Sequence, residues 1–157
     1  MGGKKKTWKE KLYEKKELPR IVKLEGKVKE KWGEGTMVIP SPVDVKEIMD
    51  KVPAGKLITV AEIRSALAKK FKTTIACPLT TGIFTWIVAN AADEEREEGK
   101  KDITPYWRTL KSGGVLNHRY PGGVEAHKKL LEGEGFRVIK KGKKYVVMNY
   151  KKFLAEI

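Results

Sequence analysis

Apolar residues recur along the chain in short groups separated by lysines, and their spacing predicts its elements. Trp8, Leu12 and Tyr13 fall at helical spacing within residues 4–17, which predicts a short amphipathic helix ended by Leu18-Pro19. Residues 20–40 hold no sustained period. Gly26, Gly33 and Gly35 punctuate them and Met37-Val38-Ile39 forms an apolar tether, so they read as an irregular basic arm that wraps the domain or stays mobile. From Pro42 the pattern sharpens. Val45, Ile48, Met49 and Val52 share one face of a helix that Pro53 and the Ala54-Gly55 turn stop. Thr59, with Glu62 three residues on, is a capping-box signature opening a second helix whose inner stripe is Val60, Ile63, Leu67 and Phe71. A third helix begins between Pro78 and Thr81 and turns Ile83, Phe84, Ile87, Val88 and Ala91 inward.

The acidic run at 93–102 reads as a loop, and residues 103–123 are dense in turn formers and aromatics. Residues 124–135 read as a helix with Leu130 and Leu131 inward and its stop at Gly133 or Gly135. Two short apolar runs around Lys141-Gly142-Lys143 signal a hairpin. The second and third helices, joined by a short segment around Thr73-Thr74, fit a helix-turn-helix, a pattern that adjacent amphipathic helices also produce in other helical domains. With the basic hairpin as a wing, the expected fold is mainly α with a small β hairpin, winged-helix-like. The expected parts are a basic N-terminal arm, 1–41, with a short helix, and a domain, 42–157.

Charge changes the picture more than length does. The chain has 157 residues, 34 Lys+Arg against 20 Asp+Glu and a formal net charge of +14. The surplus is concentrated: residues 1–35 hold 12 basic and 6 acidic side chains, and residues 136–157 hold 7 and 1. A positive surface of this size attracts polyanions by counterion release, although a lysine- and glutamate-rich solubilising surface has the same composition. No apolar run approaches the roughly 18 residues of a membrane span, and Met1-Gly2-Gly3-Lys4-Lys5-Lys6 leads into no apolar signal segment, so no membrane partner and a cytoplasmic location are expected. The lone Cys77 excludes a disulfide framework, and His118 and His127, nine residues apart, supply too few ligands for a metal site; no metal and no cofactor are expected.

Three segments, in order, resemble the DNA-binding, active-site domain of the alkylguanine-DNA alkyltransferases and their alkyltransferase-like relatives. VPAGKLITVAEIRSAL is similar to that family's "I-P-x-G-x-V-x-T-Y-G-x-I-A" segment, PYWRTLKSGG to "P-C-H-R-V-V-x-S-x-G", and LNHRYPGGVEAHKKLLEGEG to "L-G-G-Y-x-G-G-x-x-x-K-x-x-L-L-x-x-E-G". The likeness runs over residues 43–136, about three-fifths of the chain. It implies a fold of the alkyltransferase C-terminal type and a protein that binds damaged, alkylated DNA in repair, with a repair-pathway protein as a possible further partner. In the alkyltransferases the cysteine of "P-C-H-R" accepts the alkyl group and the histidine is its base. Here those positions are Tyr106 and Trp107, while Pro105, Arg108 and the closing glutamate, Glu134, are kept. A phenol of pKa ~10 without an adjacent histidine is a poor acceptor, so the resemblance implies the non-catalytic, alkyltransferase-like branch, which binds lesions without repairing them. The tyrosine that assists base rotation in the family is Val60 here, and the family's gap-filling arginine falls near Thr80 or Thr81, neither basic.

These readings name candidates. Thr80, Thr81, Thr85 and Trp86 on the third helix are expected in a groove, with Lys111, Lys140, Lys141, Lys143 and Lys144 on phosphates. Pro105, Tyr106, Trp107, Arg108, Arg119 and Tyr120 are expected to line a pocket for an extruded base, on which the aromatics could stack; core packing is the competing role for Tyr106 and Trp107. Two alternatives stay open. One is an RNA- or ribosome-associated basic protein. The other is an enzyme, using Cys77 as a displaced alkyl acceptor or a carboxylate such as Glu134 for base excision.

Overall fold

Ser41 and Pro42 set the start of the central bundle. The Ser41 Oγ accepts the Asp44 N–H at 3.2 Å and the Asp44 carboxylate accepts the Ser41 N–H at 2.8 Å, so a capping box opens helix α3 (Pro42–Met49). At the next helix, α4 (Val60–Phe71), the Glu62 carboxylate accepts both the N–H and the hydroxyl of Thr59, at 2.9 and 2.6 Å. Helix α5 (Pro78–Glu97) follows and is the axis of the fold, with α3 and α4 packed along it. Val45, Ile48, Met49, Ile63, Leu67, Val88 and Ala91 are all buried in this one core, as their helical spacing predicts. A second core, built on Leu57, Leu110, Leu116, Leu131, Phe136 and Val147, lies under helix α6 (Gly123–Gly133) and the C-terminal hairpin. Trp107 packs against both.

The computed structural model describes residues 7–14 and 16–157. The lysines at 4–6 and 15, part of the expected N-terminal helix and of its basic arm, lie outside the described residues. Helix α1 is Trp8–Leu12.

The architecture is mixed α/β rather than mainly α. Residues 20–39, expected to be irregular, form strand β1 (Arg20–Lys23), helix α2 (Gly26–Trp32) and strand β2 (Thr36–Ile39). Strand β2 pairs antiparallel with β1 and parallel with β4 (Ile75–Ala76), so the segment is part of a three-stranded sheet joined to the start of α5. Strand β3 (Ile58–Thr59) pairs parallel with β5 (Thr109–Leu110), and β6 (Val138–Lys141) pairs antiparallel with β7 (Lys144–Val147) around Gly142 as expected.

The acidic run is a second correction. Asp93 to Glu97 continue α5 as helix because their charges have partners: Asp93 pairs with Arg96, Glu95 with Lys100, and Glu94 accepts the Lys9 N–H at 2.8 Å. Among the described residues no helix is long and apolar enough to cross a membrane.

Candidate nucleic-acid interface

The loop after β5 is held against the C-terminal hairpin. The Lys111 N–H donates to the Val115 carbonyl at 2.9 Å, the Leu116 N–H to the Tyr145 carbonyl at 2.9 Å, and the Val147 N–H to the Gly114 carbonyl at 3.0 Å. Gly114, at φ 78°, permits this approach: a Cβ there would lie 2.4 Å from the Tyr150 ring. The loop therefore faces the N-terminal half of α5 across a cleft of about 420 Å³. Trp86, Gly82 and Ile83 form the helix side, Val115 and Asn117 the loop side, and Lys111, Arg119 and Lys144 bring three exposed cations to its lining. Leu79, on the first turn of α5, is 72% exposed at the same cleft, the most exposed of the large apolar side chains described. The walls are mostly apolar with a few polar groups, and the volume lies in the range of about 300–1,000 Å³ that suits a small ligand group.

The expected contacts on α5 divide. Trp86 lines the cleft, and the Arg119 guanidinium lies 5.6 Å from its ring centroid. Thr81 does not reach it: the side chain is fully buried and its hydroxyl donates to the Cys77 carbonyl at 2.7 Å. Thr85 lines the cleft but is also fully buried, its hydroxyl given to the Gly82 carbonyl at 2.7 Å. Thr80 is half-buried with its hydroxyl 3.1 Å from the Cys77 Sγ, which places the lone cysteine beside the helix start rather than in the cleft. Lys140, Lys141 and Lys143 are exposed on the hairpin, where Lys141 shares a second hollow with Lys151 and Lys152.

The six residues expected in one pocket are divided: Arg119 lines the α5 cleft, Tyr106 and Trp107 line a separate cavity of about 490 Å³ with Arg96, Ile103 and Leu130, and Pro105, Arg108 and Tyr120 line neither. Tyr106, on the 3-10 turn Tyr106–Arg108, is 2% exposed and packs edge-on against both Trp107 and Tyr120. Tyr120 is 3% exposed and donates its hydroxyl to the Thr109 carbonyl at 2.9 Å. Burial pushes both phenols above their usual range. Both rings belong to the core, with Tyr106 at the wall of that second cavity. Half-buried Pro105 caps their turn.

Trp107 and Arg108 are tied down by Glu134. The Trp107 indole N–H and the Arg108 Nε both donate to its carboxylate, Arg108 at 3.0 and 3.1 Å to the two oxygens, and the Arg108 Nη1 also donates to the Val52 carbonyl at 2.8 Å. Burial alone would raise the Glu134 pKa; the hydrogen bonds from Arg108 and Trp107 outweigh it and hold the carboxyl below its ordinary range. The indole of Trp107, which stands where the resemblance has a histidine, is thus one of two donors on this carboxylate.

His127 is fully buried. The Asn117 N–H donates to its Nδ1 at 3.1 Å, so the proton is on Nε2, which donates to the Trp107 carbonyl at 2.8 Å. Burial lowers its pKa to about 4 against that carbonyl's opposing pull. His118 is exposed and lines the cleft, so the two histidines have separate surroundings. Among the described residues no group of three His, Cys, Asp or Glu side chains could hold a metal ion.

Sequence reasoning missed Leu79 and His118 on the cleft. Leu79 stands four residues before Ile83 and so reads as part of the inner stripe, but the first turn of α5 overhangs the end of the core.

No protein-family model matches the chain, and no curated protein matches its sequence. Two solved structures share its fold. S. pombe Atl1 in complex with damaged DNA containing O6-carboxymethylguanine, and S. pombe ATL in complex with DNA, each superpose with a TM-score of 0.53 at 19% identity, over 74% of this chain and 94% of theirs. The chain thus has an alkyltransferase-like fold.

Proposed function

We propose that this protein is a non-catalytic DNA-binding protein that takes a damaged, alkylated base of a duplex into the cleft beside α5. One observation carries the reading: the about 420 Å³ cleft has an aromatic wall and three cations, Lys111, Arg119 and Lys144, in its lining. A flipped base needs a stacking face and hydrogen-bonding groups, which Trp86 and Asn117 offer, and its flanking phosphates need cations. The two fold neighbours, described as bound to DNA and in one case to an alkylated guanine, support the same choice of ligand.

In this reading α4 and α5 act as a helix-turn-helix, and the β6–β7 hairpin is a wing whose lysines hold phosphates without reading sequence. Leu79 supplies the group that fills the space left by an extruded base, since apolar side chains wedge between base steps where no arginine is available. The two acceptor positions named from the sequence are not among the residues that line the cleft: Tyr106 is 2% exposed and packed in the core, and the Cys77 Sγ lies 3.1 Å from the Thr80 hydroxyl. Trp86→Ala is expected to lower affinity for an alkylguanine duplex by about five- to fiftyfold, the loss of one stacked base, while binding to the undamaged duplex changes less than threefold. Equal losses on both duplexes, measured by fluorescence anisotropy at one salt concentration, would remove the cleft as the recognition site.

A further inference from the structure

Helix α1 is five residues long, too short to persist without tertiary contacts. Its contacts are specific. Thr7 caps it by accepting the Glu10 N–H at 3.1 Å, Leu12 is buried, and the last turns of α5 hold Lys9 twice: Glu94 accepts its N–H at 2.8 Å and Glu98 pairs with its ammonium at 2.5 Å. The acidic end of α5 thus receives the basic N-terminal segment. The docked helix sets Trp8 edge-on to Trp86, with ring centroids 5.9 Å apart and planes at 81°. Trp86 in turn has the Arg119 guanidinium over its ring, and Asn90 donates to the carbonyls of both Trp86 and Arg119, at 2.7 and 3.1 Å. Lys11, 4.3 Å from the Trp8 centroid, completes a series that runs from α1 to the cleft, two indoles in edge contact with a cation at each end.

We propose that α1 is part of the nucleic-acid site, with Trp8 as a positioning residue that holds Trp86 and Arg119 in place at the cleft. This rests on the cleft being where the damaged base binds. Trp86 sits midway along α5, lines the cleft and is only half-buried, so its ring needs a support outside the helix, and Trp8 provides one through a near-perpendicular ring contact. The support comes from an N-terminal segment held by the buried Leu12, by the Trp8–Trp86 contact and by Lys9 on Glu94 and Glu98.

Trp8→Ala and Trp8→Phe in the full chain test this. Trp8→Ala is expected to weaken binding to an alkylguanine duplex about three- to tenfold, the size of one aromatic pair, and to leave undamaged duplex within twofold; Trp8→Phe, which keeps an edge contact, recovers most of the loss. Equal loss on both duplexes, or none on either, would overturn the proposal. The indole N–H resonance of Trp86 provides a readout without DNA: it should shift in Trp8→Ala while that of Trp32 stays, and an unmoved Trp86 signal would also overturn it. If the parent protein does not prefer the alkylated duplex, the damaged-base reading fails, and the positioning role stands or falls on that resonance.

Discussion

Trp107, which stands where the family resemblance has the histidine base, donates its indole N–H to the carboxylate of Glu134. An indole N–H can donate but cannot take up a proton, so the pair keeps the carboxylate in place and loses the base. With Arg108 on the same carboxylate and on the Val52 carbonyl, the pair joins the 3-10 turn, the end of α6 and the Pro53–Gly55 turn. Glu134→Ala should therefore destabilise the fold by about 2–3 kcal/mol, less than a fully buried pair would, and Glu134→Gln by about half as much. Denaturant unfolding checks this; a change below about 0.5 kcal/mol would show that the contact does not hold these segments.

Tyr106 makes the chemical consequence testable. Restoring a thiol with Tyr106→Cys should produce no alkyl transfer, because this position does not line the α5 cleft and Trp107 cannot act as a base. Mass spectrometry after incubation with alkylguanine DNA should show an unchanged protein mass. A gain equal to the alkyl group would mean that the cleft reaches this position.

His127 gives the fold an acid sensitivity. Its imidazole is neutral in the folded state, with a pKa of about 4 against 6.5 in an unfolded chain, so the unfolded state binds more protons between those values. Stability should be full above pH 6.5 and should fall as the pH drops toward 4, by up to about 3 kcal/mol over the window. Unfolding at pH 7 and pH 4.5 measures this, and His127→Gln should flatten the slope. An unchanged slope in that variant would mean that other groups set it.

The hairpin lysines should act on phosphates only. Changing Lys141, Lys143 and Lys144 together to glutamine is expected to lower affinity for damaged and undamaged DNA alike and to reduce the slope of log affinity against log salt by about 0.9 per lost contact. A slope equal to that of the parent would take the hairpin off the DNA.

Much of the fold was legible because its signals are local. The stripes of α3, α4 and α6, the caps at Ser41 and Thr59, and the turn at Gly142 all lie within a few residues of the elements they define. Strand β2 was not legible, since the short strand β4 that pairs with Met37 and Val38 lies far along the chain. The helical continuation at Glu94 depends on Lys9, equally remote. Within the site, cations and Trp86 could be named from charge and helix position, but ring direction could not. Tyr106 and Tyr120 point into the core because they pack edge-on against each other, a relation no periodicity encodes.

Competition binding tests the central claim most directly: the full chain, one labelled alkylguanine duplex, and unlabelled alkylated duplex, undamaged duplex and structured RNA as competitors at one salt concentration. The alkylated duplex should compete at least about tenfold better than either of the others, a difference of about 1.4 kcal/mol. Equal competition by all three would reduce the cleft to a feature of a generally polyanion-binding surface, and stronger competition by the RNA would contradict the assignment to DNA.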